Sequence, residues 1–142
     1  PGWLDAVICT VFIVAAWAAL LDWYVTVDGL DLVVHAAATG LIGVLAWQVA
    51  QRLGLLAPAS TGRAARMAAL LFTTTSASTL AVIWEIGEWF GHTYLDDRIQ
   101  VGYDDTITAL IAGILGAVVA GLLAAATIPR AVVHEPTETA AR

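Results

Sequence analysis

The sequence predicts an all-α fold, a polytopic membrane protein built as a bundle of four transmembrane helices. Three observations predict it. Hydrophobic residues fill 60% of the 142 positions and charged residues only 13%, whereas soluble domains carry about a quarter charged. The apolar residues fall into four runs of near-span length, each closed by a polar or turn-forming stretch. Most ionisable residues gather at the ends of those runs, where a lipid-facing segment can carry them. On this reading residues 1–128 form one four-helix transmembrane domain, and residues 129–142 form a polar cytoplasmic tail.

The first run extends from Leu4 to about Leu21, broken only by Asp5, and ends in the interfacial sequence Asp22-Trp23-Tyr24. It carries no basic leading region and no cleavage pattern, so it reads as a helix rather than a removable signal. Residues 25–29, with Asp28 and Gly29, read as a short turn. The second run, Leu30 to Ala50, opens with Asp31 and His35 four residues apart and then offers Gly40 and Gly43 for close helix approach.

Residues 51–66 form the longest polar connection, with Gly54, Pro58, Gly62 and the arginines Arg52, Arg63 and Arg66. The third run, Met67 to Phe90, has a hydroxyl-rich middle from Thr73 to Thr79; such hydroxyls bond their own preceding carbonyls or a neighbouring helix. Residues 91–105 read as an acidic loop, with Asp96, Asp97, Asp104 and Asp105 against Arg98 alone. The fourth run, Thr106 to Ile128, places Ala109, Gly113, Ala117, Gly121 and Ala125 at every fourth position, a small-residue face suited to intimate packing in lipid. Pro129 ends it.

Composition excludes several classes. A net charge of −6, no lysine and no basic cluster exclude a nucleic-acid partner, because phosphate binding is driven by Lys and Arg. A single cysteine, Cys9, permits no internal disulfide. No cofactor is expected. Five of the six arginines lie on the side shared by the N-terminus, the 51–66 loop and the tail, so the positive-inside rule places both termini in the cytoplasm of a bacterial inner membrane. Trp23, Tyr24, Trp84, Trp89, Tyr94 and Tyr103 then form an outer aromatic belt, with Trp3 and Trp47 nearer the inner interface.

The chemistry converges on the opposite, outer mouth. At a helical 100° per residue Glu85, Glu88 and His92 share one narrow arc, which Ala81, Ser78 and Thr74 continue backwards. Asp31 and His35 share a face of the second helix, and Asp105 sits one turn above Ala109, pointing between helices. Asp31, His35, Glu85, Glu88, His92 and Asp105 are therefore expected around one polar pocket. Ionisable groups so near an apolar interior are a functional-site hypothesis by default.

At these residues the chain resembles the small VanZ-like membrane proteins and the YjdF-type inner-membrane proteins. The matching features are Asp31 with His35, Trp84-Glu85 with Glu88-Trp89, and Gly102-Tyr103-Asp104-Asp105-Thr106, over roughly residues 28–121. The resemblance implies an envelope-associated membrane protein. It also implies further Asp or Asn groups on the fourth helix near Ala109 and Gly113, where this chain has small apolar residues instead.

Several readings of the pocket stay open: a divalent metal site, a proton or cation pathway, acid–base chemistry on a lipid head group, or a hydrogen-bonded ring that fixes how the helices meet. No nucleophile motif is present, so an enzyme is not the expectation. The first expectation is a non-catalytic accessory subunit of a larger bacterial envelope complex, with lipid transport as its setting. Its partners are then the bilayer and that larger membrane-protein complex. The alternative is a VanZ-like membrane enzyme or cation-binding protein that uses the outer Glu/His/Asp pocket.

Overall fold

The computed structural model describes residues 2–56 and 61–129, and among these the regular elements are all helices, without a strand. The elements are α1 (Gly2–Leu20), α2 (Trp23–Thr26), α3 (Leu30–Arg52), α4 (Gly62–Tyr94) and α5 (Tyr103–Ala126). The expected tail from residue 130 onward, Pro58 and the side chain of Trp3 lie outside what is described.

Among the described residues three helices, α3, α4 and α5, are long and apolar enough to cross a membrane, and α1 contributes a shorter apolar stretch, Leu4–Leu20. The short turn expected at 25–29 begins instead with one helical turn, α2, entered through Asp22 in the left-handed conformation. Helix α4 starts five residues before the expected Met67, because Arg63-Ala64-Ala65-Arg66 is made of strong helix formers. It also continues four residues past Phe90. The two loops are shorter than expected for that reason.

Helix α4 is about 50 Å long at 1.5 Å per residue, well beyond a hydrocarbon core of about 30 Å. From Arg66 to Glu88 it rises about 33 Å, so the arginines and the acids lie a membrane thickness apart. The apolar middle between them carries hydroxyls that bond back to their own helix: Thr75 donates to the Leu71 carbonyl, Ser78 to Thr74 and Thr79 to Thr75. Thr74 instead reaches the Ala117 carbonyl of α5 at 3.4 Å.

Helices α3 and α5 run parallel and pack directly on each other, and α4 runs antiparallel against both. The register follows from close approaches. A Cβ on Gly43 would stand 2.8 Å from the Ala77 methyl, one on Gly113 would stand 3.0 Å from the Thr39 hydroxyl, and one on Gly121 would stand 2.7 Å from that of Thr74. Gly40 lies against Gly116 and Ala120. The tightest approach is at Gly116, where an added Cβ would overlap the Ala36 carbonyl. Gly116 lies one residue off the every-fourth-position stripe, whose members Ala109, Gly113, Ala117 and Gly121 are all buried. The core is consequently made mostly of alanine, glycine and threonine, and most large apolar side chains face outward towards lipid, with Leu4 and Trp47 buried.

At the arginine end Trp47 is buried with Ala69, Ala124 and Ala125 and tilts against Phe72 at 5.9 Å. Its indole fills this end of the bundle. Helix α3 closes with the Leu55 N–H on the Ala50 carbonyl and the Gly54 N–H on that of Gln51, a Schellman pair with Gly54 left-handed at φ 67°. Helix α1 packs on α3 and α2 alone among the described elements.

Candidate functional site

The site lies at the end of the three-helix core opposite Arg52, Arg63 and Arg66. The antiparallel register of α3 and α4 that brings Gly43 to Ala77 also brings His35 to Glu85, two turns further out on each helix. His35 therefore faces two carboxylates at once. Its Nε2 lies 3.3 Å from Asp31 Oδ1, one turn up its own helix, and its Nδ1 lies 3.7 Å from Glu85 Oε1 on α4. His35 and Glu85 are 12% and 8% exposed, and Asp31 is 34% exposed.

Glu88, one turn beyond Glu85 and half-buried, completes the group. One ligand atom from each of His35, Glu85 and Glu88 lies within 4.8 Å of the other two. Three acids thus surround one imidazole. Among the described residues the one arginine at this end is Arg98, and it is held elsewhere: its Nε and Nη2 donate to the Asp96 carboxylate at 3.0 and 2.7 Å. That guanidinium holds the Asp96 carboxyl down at about 2, from the usual 3.8.

The two remaining expected residues stand apart from this group. His92 is in the last turn of α4, where its Nδ1 lies 2.6 Å from the Ile99 carbonyl and ties the 95–102 loop to the helix end. Asp105 is exposed in the first turn of α5, a favourable place for an acid beside the helix dipole. Both line an open cavity of about 340 Å³ under the loop, with Asp97, Arg98, Gln100 and Gly102. Asp105 stays within electrostatic range of Asp31 and His35.

Two neighbours were not legible as members of the site. Tyr24, read as an interfacial anchor, packs beside the cluster and donates its phenol to the Ala15 carbonyl of α1 at 3.0 Å. Burial pushes the phenol up from its ordinary value, and the charges of Asp31 and Glu88 add to that. Thr106 of α5 lines a groove of about 330 Å³ with Glu85, Val82, Ile86, Trp89 and Leu110. A tyrosine six residues before a span and a threonine at a helix start are ordinary sequence features, and only the packing gives them meaning.

Chemically, the arrangement can hold a positive charge. With one N–H aimed at Asp31, a neutral imidazole turns the lone pair of its other nitrogen towards a carboxylate oxygen. A proton or a cation must lie between them for the contact to be favourable.

Residues 1–130 match the family model described as "Predicted membrane protein (DUF2238)". That supports the small-membrane-protein class of the resemblance drawn from the sequence, without the VanZ-like or YjdF-type identity. No curated protein and no solved structure matches the chain.

Proposed function

The chain belongs to the DUF2238 family of predicted membrane proteins, and on that footing we propose that it is a cation-binding membrane protein whose site is His35, Glu85 and Glu88, with Asp31 beside them. The observation that carries this reading is Glu85. It is a carboxylate 8% exposed that faces an imidazole nitrogen at 3.7 Å, too far for a hydrogen bond, with the neutral Thr106 hydroxyl of α5 as a hydrogen-bond partner that brings no compensating charge. A charge so placed is costly unless a cation joins it. By the arginine asymmetry the site opens to the extracytoplasmic side, α1 serves as a fourth span, and the VanZ-like and YjdF-type resemblance adds the bacterial envelope as the setting.

The accessory-subunit reading draws on helix faces made for close packing. Gly40, Gly43, Gly113 and Gly121 spend those faces on contacts inside the chain, so the cation site is the better-supported account. The test is thermal unfolding of the protein in lipid nanodiscs against separate additions of Zn²⁺, Mn²⁺, Mg²⁺, Ca²⁺, Na⁺ and K⁺. A ligand at one hundred times its Kd stabilises by about 2.7 kcal/mol, and that gain disappears in Glu85→Gln. A melting temperature indifferent to every cation, or a gain undiminished in Glu85→Gln, refutes the proposal.

A further inference from the structure

The geometry points to a divalent first-row transition ion bound through the Nδ1 of His35 together with the carboxylates of Glu85 and Glu88, with Asp31 acting as the positioning residue that holds the ring. This inference rests on the cation-binding reading and adds the class of ion, the ligating nitrogen and the role of Asp31.

The donor set decides the class. Calcium and magnesium take oxygen ligands, whereas an imidazole nitrogen among carboxylates suits zinc, manganese or iron. A soft, thiolate-preferring ion is disfavoured, because the one cysteine, Cys9, sits exposed on α1. Tetrahedral ligands at 2.0–2.2 Å from a metal lie about 3.3–3.6 Å from one another. The 3.7 Å between His35 Nδ1 and Glu85 Oε1 already has nearly that spacing. The group's limit of 4.8 Å closes with a rotamer adjustment of the half-buried Glu88, which exchanges its hydrogen bond to the Trp84 side chain for the ion.

The role of Asp31 follows from which nitrogen faces which helix. Asp31 lies on the same helix as His35, one turn before it, and its Oδ1 is 3.3 Å from Nε2. That placement favours the tautomer with the proton on Nε2 and leaves the Nδ1 lone pair facing α4. A carboxylate behind a metal-binding histidine fixes its tautomer and raises its basicity, and losing such a partner costs 10–100-fold in affinity. Asp31 is a third exposed at the first turn of its helix, so its replacement leaves no hole in the core.

The experiment uses the full chain in nanodiscs, with Zn²⁺ as the probe and ¹⁵N-labelled histidine. The chain has three histidines, and His92→Asn removes one signal to aid assignment. On adding Zn²⁺, Nδ1 of His35 takes the shift of a coordinated nitrogen and Nε2 keeps its proton. Zinc remains bound in a hundredfold excess of Mg²⁺. Asp31→Ala weakens Zn²⁺ 10–100-fold, and Asp31→Asn, which retains an acceptor, weakens it less. Asp105→Asn, an equal loss of charge that does not face the ring, leaves affinity within about threefold. A His35 ring doubly protonated in saturating Zn²⁺, coordination through Nε2, or an Asp31→Ala loss no greater than that of Asp105→Asn overturns the inference. Glu85→Gln and Glu88→Gln separate the two levels. If they bind Zn²⁺ as tightly as the parent, the cation reading itself falls; if they lose it while Asp31→Ala behaves like Asp105→Asn, only the role of Asp31 falls.

Discussion

His35 Nδ1 and Glu85 Oε1 face each other at 3.7 Å across the α3–α4 contact, both largely withdrawn from solvent. Neutralising the acid therefore removes a cost from the protein without cation. Glu85→Gln is expected to unfold later than the parent in chelator-treated nanodiscs, by on the order of 1–2 kcal/mol. Destabilisation by the same change makes Glu85 a structural partner of His35 instead.

The α3–α5 contact at Gly116 allows no side chain. Gly116→Ala forces a methyl against the Ala36 carbonyl and is expected to cost about 3 kcal/mol in a detergent unfolding titration, the upper end of ordinary overpacking. Gly87→Ala meets nothing within 4 Å and is the control, with no loss expected. Equal effects from the two changes remove the case for backbone contact at Gly116.

Thr73 is fully buried, and its hydroxyl has no hydrogen-bond partner. Thr73→Val keeps the shape and removes the unpaired group, so a gain of about 1 kcal/mol is expected. A loss shows that the hydroxyl has a partner in the membrane-embedded protein.

In the 95–102 loop Arg98 is exposed and Asp96 partly so, and the effect of their pair is local. The Asp96 carboxyl is lowered to about 2 in the folded loop, so its contribution is present above the ordinary carboxylate value and is lost as pH falls through about 2. Carboxyl NMR of Asp96 is expected to titrate near 2 and to return to the usual range in Arg98→Ala. Titration near 4 in the parent means that the pair does not form.

His92 holds the same loop through the Ile99 carbonyl. His92→Ala is expected to speed amide hydrogen exchange across residues 95–102 while leaving Zn²⁺ affinity within about twofold. A large loss of affinity places His92 among the ligands.

The helical pattern was legible because lipid imposes long apolar runs, and Asp31, His35, Glu85 and Glu88 were legible because ionisable groups are rare in such runs. Helix count was less so. Leu4–Leu20 is apolar but short, and its packing on α3 and α2 alone was invisible to hydropathy. His92 shares the arc of Glu85 and Glu88, yet at the last turn of α4 the loop competes for its ring and wins through the Ile99 carbonyl. Periodicity points Asp105 between helices, but it lies exposed under the 95–102 loop, while Thr106 in the same turn packs with Glu85. Gly116 escaped notice because a four-residue stripe marks one face, and the closest backbone approach used the adjacent one.

The most direct measurement is equilibrium dialysis of the nanodisc-embedded protein against Zn²⁺ and Mn²⁺, with metal and protein counted in the same sample. One ion per chain, absent in Glu85→Gln and in Glu88→Gln, is the predicted result. No bound ion, or the same stoichiometry in both variants, contradicts the account.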